Sequence, residues 1–263
     1  MHVAVITKMK NKQQGVALII MMLVLLMVAM SVMFSYMDGS SVRIERDKKT
    51  AAALAEAKAA LIGYMLKRMP PAERVGDLPC PDKSSDKNYD GTQDSPCASS
   101  RLGKFPWSNV DLKGQYIDGI SIDLRDGYGE RLWFVVSGNL VDPTKVPLID
   151  DALLTSTNPI YPWLEVYDVA GNPITKKAVA LIISPGYLLA GQSRSGITPS
   201  AAQFLDTSTV NSIKFTNSSS VATKFISGLI VDPVSKMTIS NDQIIFITTD
   251  ELRVFISKLK VTP

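Results

Sequence analysis

An uninterrupted apolar segment near the N-terminus constrains this chain more than any other feature. The residues from Val16 to Tyr36 include neither a charged side chain nor a proline. At about 1.5 Å per residue, a helix of this length crosses a hydrocarbon layer of roughly 30 Å. The segment therefore predicts a single membrane-spanning helix near the start of a chain of 263 residues.

The junction that precedes this segment is more specific than the segment itself. An ordinary secretory signal is cut after its apolar region, whereas here the only candidate processing sequence, Gln13-Gln14-Gly15, comes before it. Cleavage between Gly15 and Val16 would make the apolar helix the new N-terminus. Met9 is a second candidate start, which would shorten the leader. An uncleaved single-pass anchor is the alternative interpretation.

The combination of Lys10, Lys12, Gln13-Gln14-Gly15 and an apolar run from Val16 resembles type IV pilins and type II secretion pseudopilins. The resemblance implies that a prepilin peptidase cuts after Gly15 and methylates Val16. It also implies an inner-membrane anchor, a periplasmic head and packing of the helix against those of other pilins or pseudopilins in a filament. Most members carry glutamate at the fifth mature position, where this chain has Ile20. That departure, shared by some tip-located members, favours a minor subunit.

Beyond the membrane segment, the pattern predicts that the helix continues to about residue 69. Pro70-Pro71 ends the helical pattern, and Asp38-Gly39-Ser40 is a weak point where a kink and an unbroken helix are both open. The expected divisions are a leader (1–15), a transmembrane helix (16–37), an amphipathic continuation (38–70) and a head (71–263). The apolar face of the continuation is expected to comprise Ala51, Leu54, Ala55, Leu61, Ile62, Met65 and Met69.

The head is expected to be rich in β-strands and to end in a helix. The resemblance implies an α+β fold in which the long helix packs on an antiparallel sheet, with an enlarged β-rich C-terminal region. A hydroxyl cap at Thr249 and acids in the first turn predict the final helix, through about Lys260. Residues 191–223 predict long loops with short strands. Strands are predicted at Leu132–Ser137, Leu164–Val169, Pro173–Thr175, Ala178–Ser184, 226–231 and 243–248. The second and third of these flank Ala170-Gly171-Asn172 and are expected to form a hairpin.

Charge and composition restrict the function. The chain has 28 basic and 25 acidic residues, and loss of the three leader lysines would leave 25 of each, so no basic excess points to nucleic acid. The only histidine is His2, in the leader. The mature chain would thus lack Ser-His-Asp and Cys-His catalysis and histidine-based zinc sites. Carboxylate and lysine chemistry stay open, but the composition favours a structural protein over an enzyme.

The only two cysteines are Cys80 and Cys97. The envelope location that the resemblance implies favours a disulfide between them, because such compartments are oxidising. The paired residues would leave no free thiol for C-x-x-C redox chemistry. A bond between them would also enclose residues 81–96 in a loop.

Within this loop, residues 86–94 match the first nine positions of an EF-hand calcium loop, with Gly91 at the turning position. Cys97 replaces the bidentate glutamate of position 12, and Asp82 or a distant residue could supply the missing ligand. We expect any calcium affinity to be weak, at about 0.1–1 mM. An Asp/Asn-rich turn that binds no metal is the alternative. The expected metal ligands are Asp86, Asn88, Asp90, Thr92 and Asp94.

Two further groups of side chains have competing interpretations. Phe105, Trp107 and Trp133 are expected to pack in the core, although they could form a stacking platform. The charged cluster of Arg125, Asp126, Glu130 and Arg131 is expected to be a surface salt-bridge network or part of a subunit contact.

Two rival functions remain beside the filament subunit. An anchored periplasmic or surface adhesin would use the polar loops of 191–223 to contact a ligand. An anchored envelope enzyme would use carboxylates or calcium, and a cleft with two close carboxylates of perturbed pKa would support it.

Overall fold

The computed structural model describes residues 12–67, 76–83, 89–97, 99–110, 113–116, 119–146, 149–195 and 200–259. The chain divides into two compact units, Met1–Asp47 and Lys48–Pro263. The fold is α+β, as expected. Its elements are α1 (Lys12–Lys67), β1 (Leu102–Lys104), β2 (Trp133–Val136), α2 (Asp151–Thr155), β3 (Leu164–Tyr167), β4 (Pro173–Ser184), β5 (Thr207–Val210), β6 (Ile213–Thr216), β7 (Lys224–Ile226), β8 (Ile230–Val231), β9 (Thr238–Ser240), β10 (Gln243–Thr248) and α3 (Thr249–Leu259).

Helix α1 is continuous through Gly39, the predicted weak point. In its first part, from Val16 to Met33, every side chain is exposed. Met69, which was expected on the apolar face, and Pro70-Pro71, which were expected to end the helix, lie outside the described residues.

The second unit begins with the part of α1 that packs in the core. Its buried face matches the prediction at Leu54, Leu61 and Met65, but Ala51 and Ala55 are exposed. Alanine fits either face of a helix, so the larger side chains set the orientation of this one. Among the helix residues whose side chains are described, the buried ones are Thr50, Ala53, Leu54, Ala57, Leu61, Tyr64 and Met65.

A six-stranded sheet forms the centre of the head. The strand order is β1-β2-β4-β3-β7, and β10 also pairs with β4. All pairs are antiparallel except β3 with β7. β3 and β4 form the hairpin predicted around Ala170-Gly171-Asn172. The long β4 contacts three other strands, which makes it the middle of the fold.

Both faces of this sheet are covered. On β2, Phe134 and Val136 face the core that includes α1, while Trp133 and Val135 face a second apolar cluster with Phe204 and other residues. Period-two alternation places successive side chains on opposite faces. A strand covered on both faces therefore consists of consecutive apolar residues.

The C-terminal region adds two hairpins, β5–β6 and β8–β9, and helix α3. The predicted cap at Thr249 is wrong by one residue. Thr248 Oγ1 accepts a hydrogen bond from Glu251 N (3.2 Å), and Glu251 Oε2 accepts one from Thr248 N (2.9 Å). This reciprocal pattern is a capping box, and Thr249 itself is buried.

Candidate functional site

The apolar segment Val16–Met33 is the first candidate functional feature. Its mean hydropathy is 3.0 and none of it is buried, so its length and composition suit a membrane anchor or a signal sequence. Gly15 and Val16 both lie within α1. Residues 1–11, which hold most of the leader, lie outside the described residues.

Cys80 and Cys97 form a disulfide, as predicted, with their Cα atoms 5.7 Å apart. Both residues are buried in the core that includes α1. The disulfide closes the segment that contains the EF-hand pattern and holds its two ends against the helix side of the sheet.

The structure brings three acidic residues of this segment close together. Gly91 N donates to Asp82 Oδ2 (2.8 Å), Thr92 N and Oγ1 donate to Asp90 Oδ1 (2.9 and 2.6 Å), and Lys83 N donates to Asp94 Oδ2 (2.6 Å). The remaining predicted ligands, Asp86 and Asn88, lie outside the described residues. Within the described ranges, no three His, Cys, Asp or Glu side chains form a metal-binding group.

Asp82 is the most electrostatically perturbed of these acids. Asp82 has no exposed surface, and its Oδ1 has no hydrogen-bond partner among the residues that the structure describes. The buried atom Oδ2 of Asp90 likewise has none among them. Burial raises the pKa of Asp82 to about 7, and repulsion from Asp94 and Asp90 adds to the rise, against the Gly91 hydrogen bond. The chemistry of this loop therefore favours either a proton or a cation.

Trp107 supports the turn of the same loop. A Cβ on Gly91 would lie 2.2 Å from Trp107 Cε2, so only glycine fits under the indole. Gly91 also has φ of +92°, which glycine adopts without steric cost. The guanidinium of Arg131 covers the indole at 4.1 Å. Trp107 is half-buried, whereas Phe105 and Trp133 are core residues as expected.

The charged cluster around Gly129 is only partly the surface salt-bridge network that was predicted. Asp126 is fully buried and accepts hydrogen bonds from Tyr128 N, Glu130 N and Ser184 Oγ. The short Asp126 side chain accepts hydrogen bonds from the backbone N–H groups of its own tight turn, so Asp126 stabilises the fold here. Arg125 and Arg131 instead bond Asp123 at the surface, and Glu130 pairs with Arg194 at 3.3 Å.

The sequence did not reveal a pair of buried acids, Asp206 and Asp242. Asp206 N donates to Asp242 Oδ2 (2.9 Å), and Asn241 N donates to Asp206 Oδ2 (2.7 Å). Burial raises the pKa of both carboxyl groups, and repulsion from Asp206 raises that of Asp242 further. Because the two acids lie 36 residues apart, no local pattern could indicate that they meet.

A cleft with two close carboxylates of perturbed pKa would support an enzyme, and a cavity of about 410 Å³ does border Asp206. The hydrogen bonds of the two acids instead indicate a structural role. Gln192 Nε2 donates to Asp206 Oδ1 (2.8 Å), and Asn217 Nδ2 donates to Asp242 Oδ2 (2.8 Å). The carboxylates thus bind two loops and a hairpin together. Of their four oxygens, Asp242 Oδ1 alone has no hydrogen-bond partner within the described ranges.

Comparison with known proteins gives no family assignment. No protein-family model, curated protein or solved structure matches the chain.

Proposed function

We propose that this protein is a minor pilin-like subunit of a type IV pilus or type II secretion filament. The observation that carries the proposal is the helix α1. Its apolar part begins directly after Gly15, and its residues 53–65 pack against a mostly antiparallel sheet in the second unit. One helix that can serve a membrane at one end and a head domain at the other suits a subunit that moves from membrane to filament.

In this proposal, a prepilin peptidase cuts between Gly15 and Val16. The apolar segment then anchors the subunit in the inner membrane, with the head in the periplasm, until it packs beside the helices of other pilins. Close contact between side chains drives such packing in lipid. The additional hairpins β5–β6 and β8–β9 enlarge the head, which suits a tip better than a repeating shaft.

N-terminal sequencing and intact mass of the protein from native membranes test this proposal. In cells with the peptidase we expect a chain that begins at methylated Val16, and in cells without it an intact leader. Gly15→Leu should block cleavage, while Gly39→Leu, at the other glycine of the N-terminal part of α1, should not. An intact leader in the presence of the peptidase would overturn the proposal and favour an anchored adhesin.

We also propose that the disulfide-closed loop binds calcium weakly, with Asp82 as an added ligand. The supporting observation is that Asp82 Oδ1 and Asp90 Oδ2 are buried and have no hydrogen-bond partner in the part of the chain that the structure describes. Calcium prefers several hard oxygen ligands, and it offsets the repulsion among carboxylates.

Calorimetric titration of the full-length protein in detergent with CaCl₂ tests this second proposal. We expect a Kd of about 0.1–1 mM, weakened at least roughly tenfold by Asp82→Asn or Asp90→Asn. Glu45→Gln, an exposed acid on α1, is the control and should bind as the wild type does. Equal binding by all four proteins, or by none, would contradict the proposal.

A further inference from the structure

A cavity of about 410 Å³ lies in the C-terminal part of the head. It is bordered by the turn and second strand of hairpin β8–β9 and by residues of the segments 189–192 and 202–207. Much of its wall is apolar, with Leu189, Leu205, Met237 and Ile239 among the lining residues. The volume falls within the roughly 300–1,000 Å³ of small-molecule sites, which combine apolar walls with a few polar groups.

Asp206 is the charged member of the described residues that line this cavity. The carboxyl group of Asp242 is adjacent, since Asp206 N donates to its Oδ2, and the two carboxyl groups repel each other. The positive charge of Arg194 acts on both acids, but its guanidinium also pairs with Glu130 at 3.3 Å and donates to Gly186 O. Arg194 is thus shared among three acids, and the wall of the cavity favours a further cation.

Two buried oxygen atoms beside Asp206 are available to a ligand. Ser240 has no exposed surface and lies next to the Asp206 carboxyl group, whose pKa its hydroxyl lowers. Neither Ser240 Oγ nor Asp242 Oδ1 has a hydrogen-bond partner among the residues that the structure describes. Because a buried polar atom without a partner destabilises a fold, these two atoms favour a ligand that donates hydrogen bonds.

We propose that this cavity binds a primary ammonium group carried on a short alkyl chain. An ammonium group combines one positive charge with three hydrogen-bond donors, which suit Asp206 and the two acceptors beside it. The alkyl chain suits the apolar part of the wall, which a bare metal ion would leave in contact with water. The inference concerns the head alone and does not depend on the filament role.

The hydrogen bonds that Asp206 already makes are compatible with this ligand. Its Oδ1 accepts from Gln192 Nε2 (2.8 Å), and its Oδ2 accepts from Asn241 N (2.7 Å). A carboxylate has about four acceptor positions, so each oxygen can accept again. The existing bonds also fix the carboxylate in place, which lowers the entropy that binding costs.

Methyl NMR of the full-length protein in detergent tests the proposal. The methionines carry isotope-labelled methyl groups, Met237→Leu assigns the signal from the cavity, and n-butylammonium chloride is the probe near neutral pH. We expect a saturable shift of the Met237 signal with a Kd of about 0.1–5 mM for so small a ligand. The signal of Met65, which is buried in the core that includes α1, should stay fixed. 1-Butanol, which lacks the charge, should bind at least about tenfold more weakly.

Variants of the cavity sharpen the test. Asp206→Asn should weaken n-butylammonium binding at least about tenfold, and Ser240→Ala at least about threefold. Thr249→Val is the matched control, because it removes a buried hydroxyl that has no hydrogen-bond partner within the described ranges and lies at the start of α3; it should bind as the wild type does. Ala202→Leu fills the cavity from an exposed position of its wall, so it should abolish binding even if Asp206→Asn does not fold.

A second probe distinguishes the two sources of such an ammonium group. If Nα-acetyl-lysine methylamide binds as tightly as n-butylammonium, the cavity accepts a lysine side chain of another protein. A loss of at least about tenfold would indicate a free amine, because the peptide groups then obstruct entry. An unchanged Met237 signal, equal affinity for 1-butanol, or wild-type affinity in folded Asp206→Asn or Ala202→Leu would overturn the proposal.

Discussion

Lys58 Nζ lies 2.6 Å from Glu251 Oε1, so an ion pair connects α1 to the first turn of α3. The other oxygen of Glu251 accepts a hydrogen bond from Thr248 N and completes the capping box. Burial acts to raise the pKa of Glu251. The hydrogen bonds from Lys58 and Thr248, together with the positive charge of Lys58, outweigh this effect, so the pKa is lowered. One carboxylate thus supports both the start of α3 and its contact with α1.

We expect Glu251→Ala to lower the free energy of unfolding by about 1–2 kcal/mol, because it removes both the cap and the pair. Lys58→Met should cost less, since exposed pairs contribute about 0.2–1 kcal/mol. A double-mutant cycle by urea denaturation measures the coupling. Because the pKa of Glu251 is lowered, its contribution should be present above about pH 4 and lost as the solution is acidified. Additive effects of the two changes would contradict the pairing.

Removal of the disulfide is expected to destabilise the head. The bond joins residues separated by 17 positions, and in the chain-entropy model a loop of this size contributes about 3 kcal/mol. Cys80→Ser with Cys97→Ser should lower the midpoint of thermal unfolding. Treatment of the wild type with a reducing agent should lower it to a similar extent but leave the double variant unchanged. A loss on reduction in the double variant would refute this assignment.

Gly91→Ala should be costly for two separable reasons. Positive φ costs an alanine about 1–2 kcal/mol, and the clash with Trp107 adds about 1–3 kcal/mol. Gly114 also has positive φ, at +78°, but no atom of the residues that the structure describes lies within 4 Å of the position a Cβ would take there. The loss of unfolding free energy in Gly114→Ala therefore measures only the cost of positive φ for an alanine. Chemical denaturation should show the larger loss for Gly91→Ala, and equal losses would argue against the packing of Trp107 on this turn.

Asp82 should make stability depend on pH. Its pKa in the folded state is about 7, above the unfolded value of about 3.9. Its contribution is therefore full below pH 4 and is lost as the pH rises through 7, by up to about 4 kcal/mol. Asp82→Asn should flatten the dependence of the unfolding free energy on pH between 4 and 8. Millimolar CaCl₂ should recover part of the loss in the wild type but not in Asp82→Asn.

Asp242 should also lower the free energy of unfolding as the pH rises. Burial and repulsion from Asp206 raise its pKa, so stability is lost as the pH rises through the folded pKa. Asp242→Asn retains an oxygen for the bond from Asp206 N and should be less sensitive to alkaline pH. Asp232 should have the opposite pH dependence. A hydrogen bond from Ser235 N lowers its pKa, so its contribution to stability is lost as the pH falls. Asp232→Asn should therefore lose stability mainly above pH 4, and matching pH profiles for both variants would refute these assignments.

Local patterns predicted much of this architecture. The strand at Trp133–Val136, the β3–β4 hairpin and the final helix could be read from apolar runs and turn residues, because each depends on neighbouring positions. Errors arose where nearby residues offered equal choices. Thr248 and Thr249 are both hydroxyl residues at the start of α3, and Ala51 and Ala53 are similar residues on α1, so the final orientation depended on distant contacts.

The sequence alone determined the apolar helix and several strands of the head, since composition and short-range periodicity suffice for each. The α+β class and the pairing of the two cysteines were expected from the family resemblance, and the structure confirms both. Only the tertiary structure decided which charged groups are buried. Lys104, Asp82, Asp126 and the Asp206–Asp242 pair look like ordinary polar residues in the sequence. Their ionisation depends on desolvation and on charges brought close by chain segments far apart, and no local pattern encodes those distances.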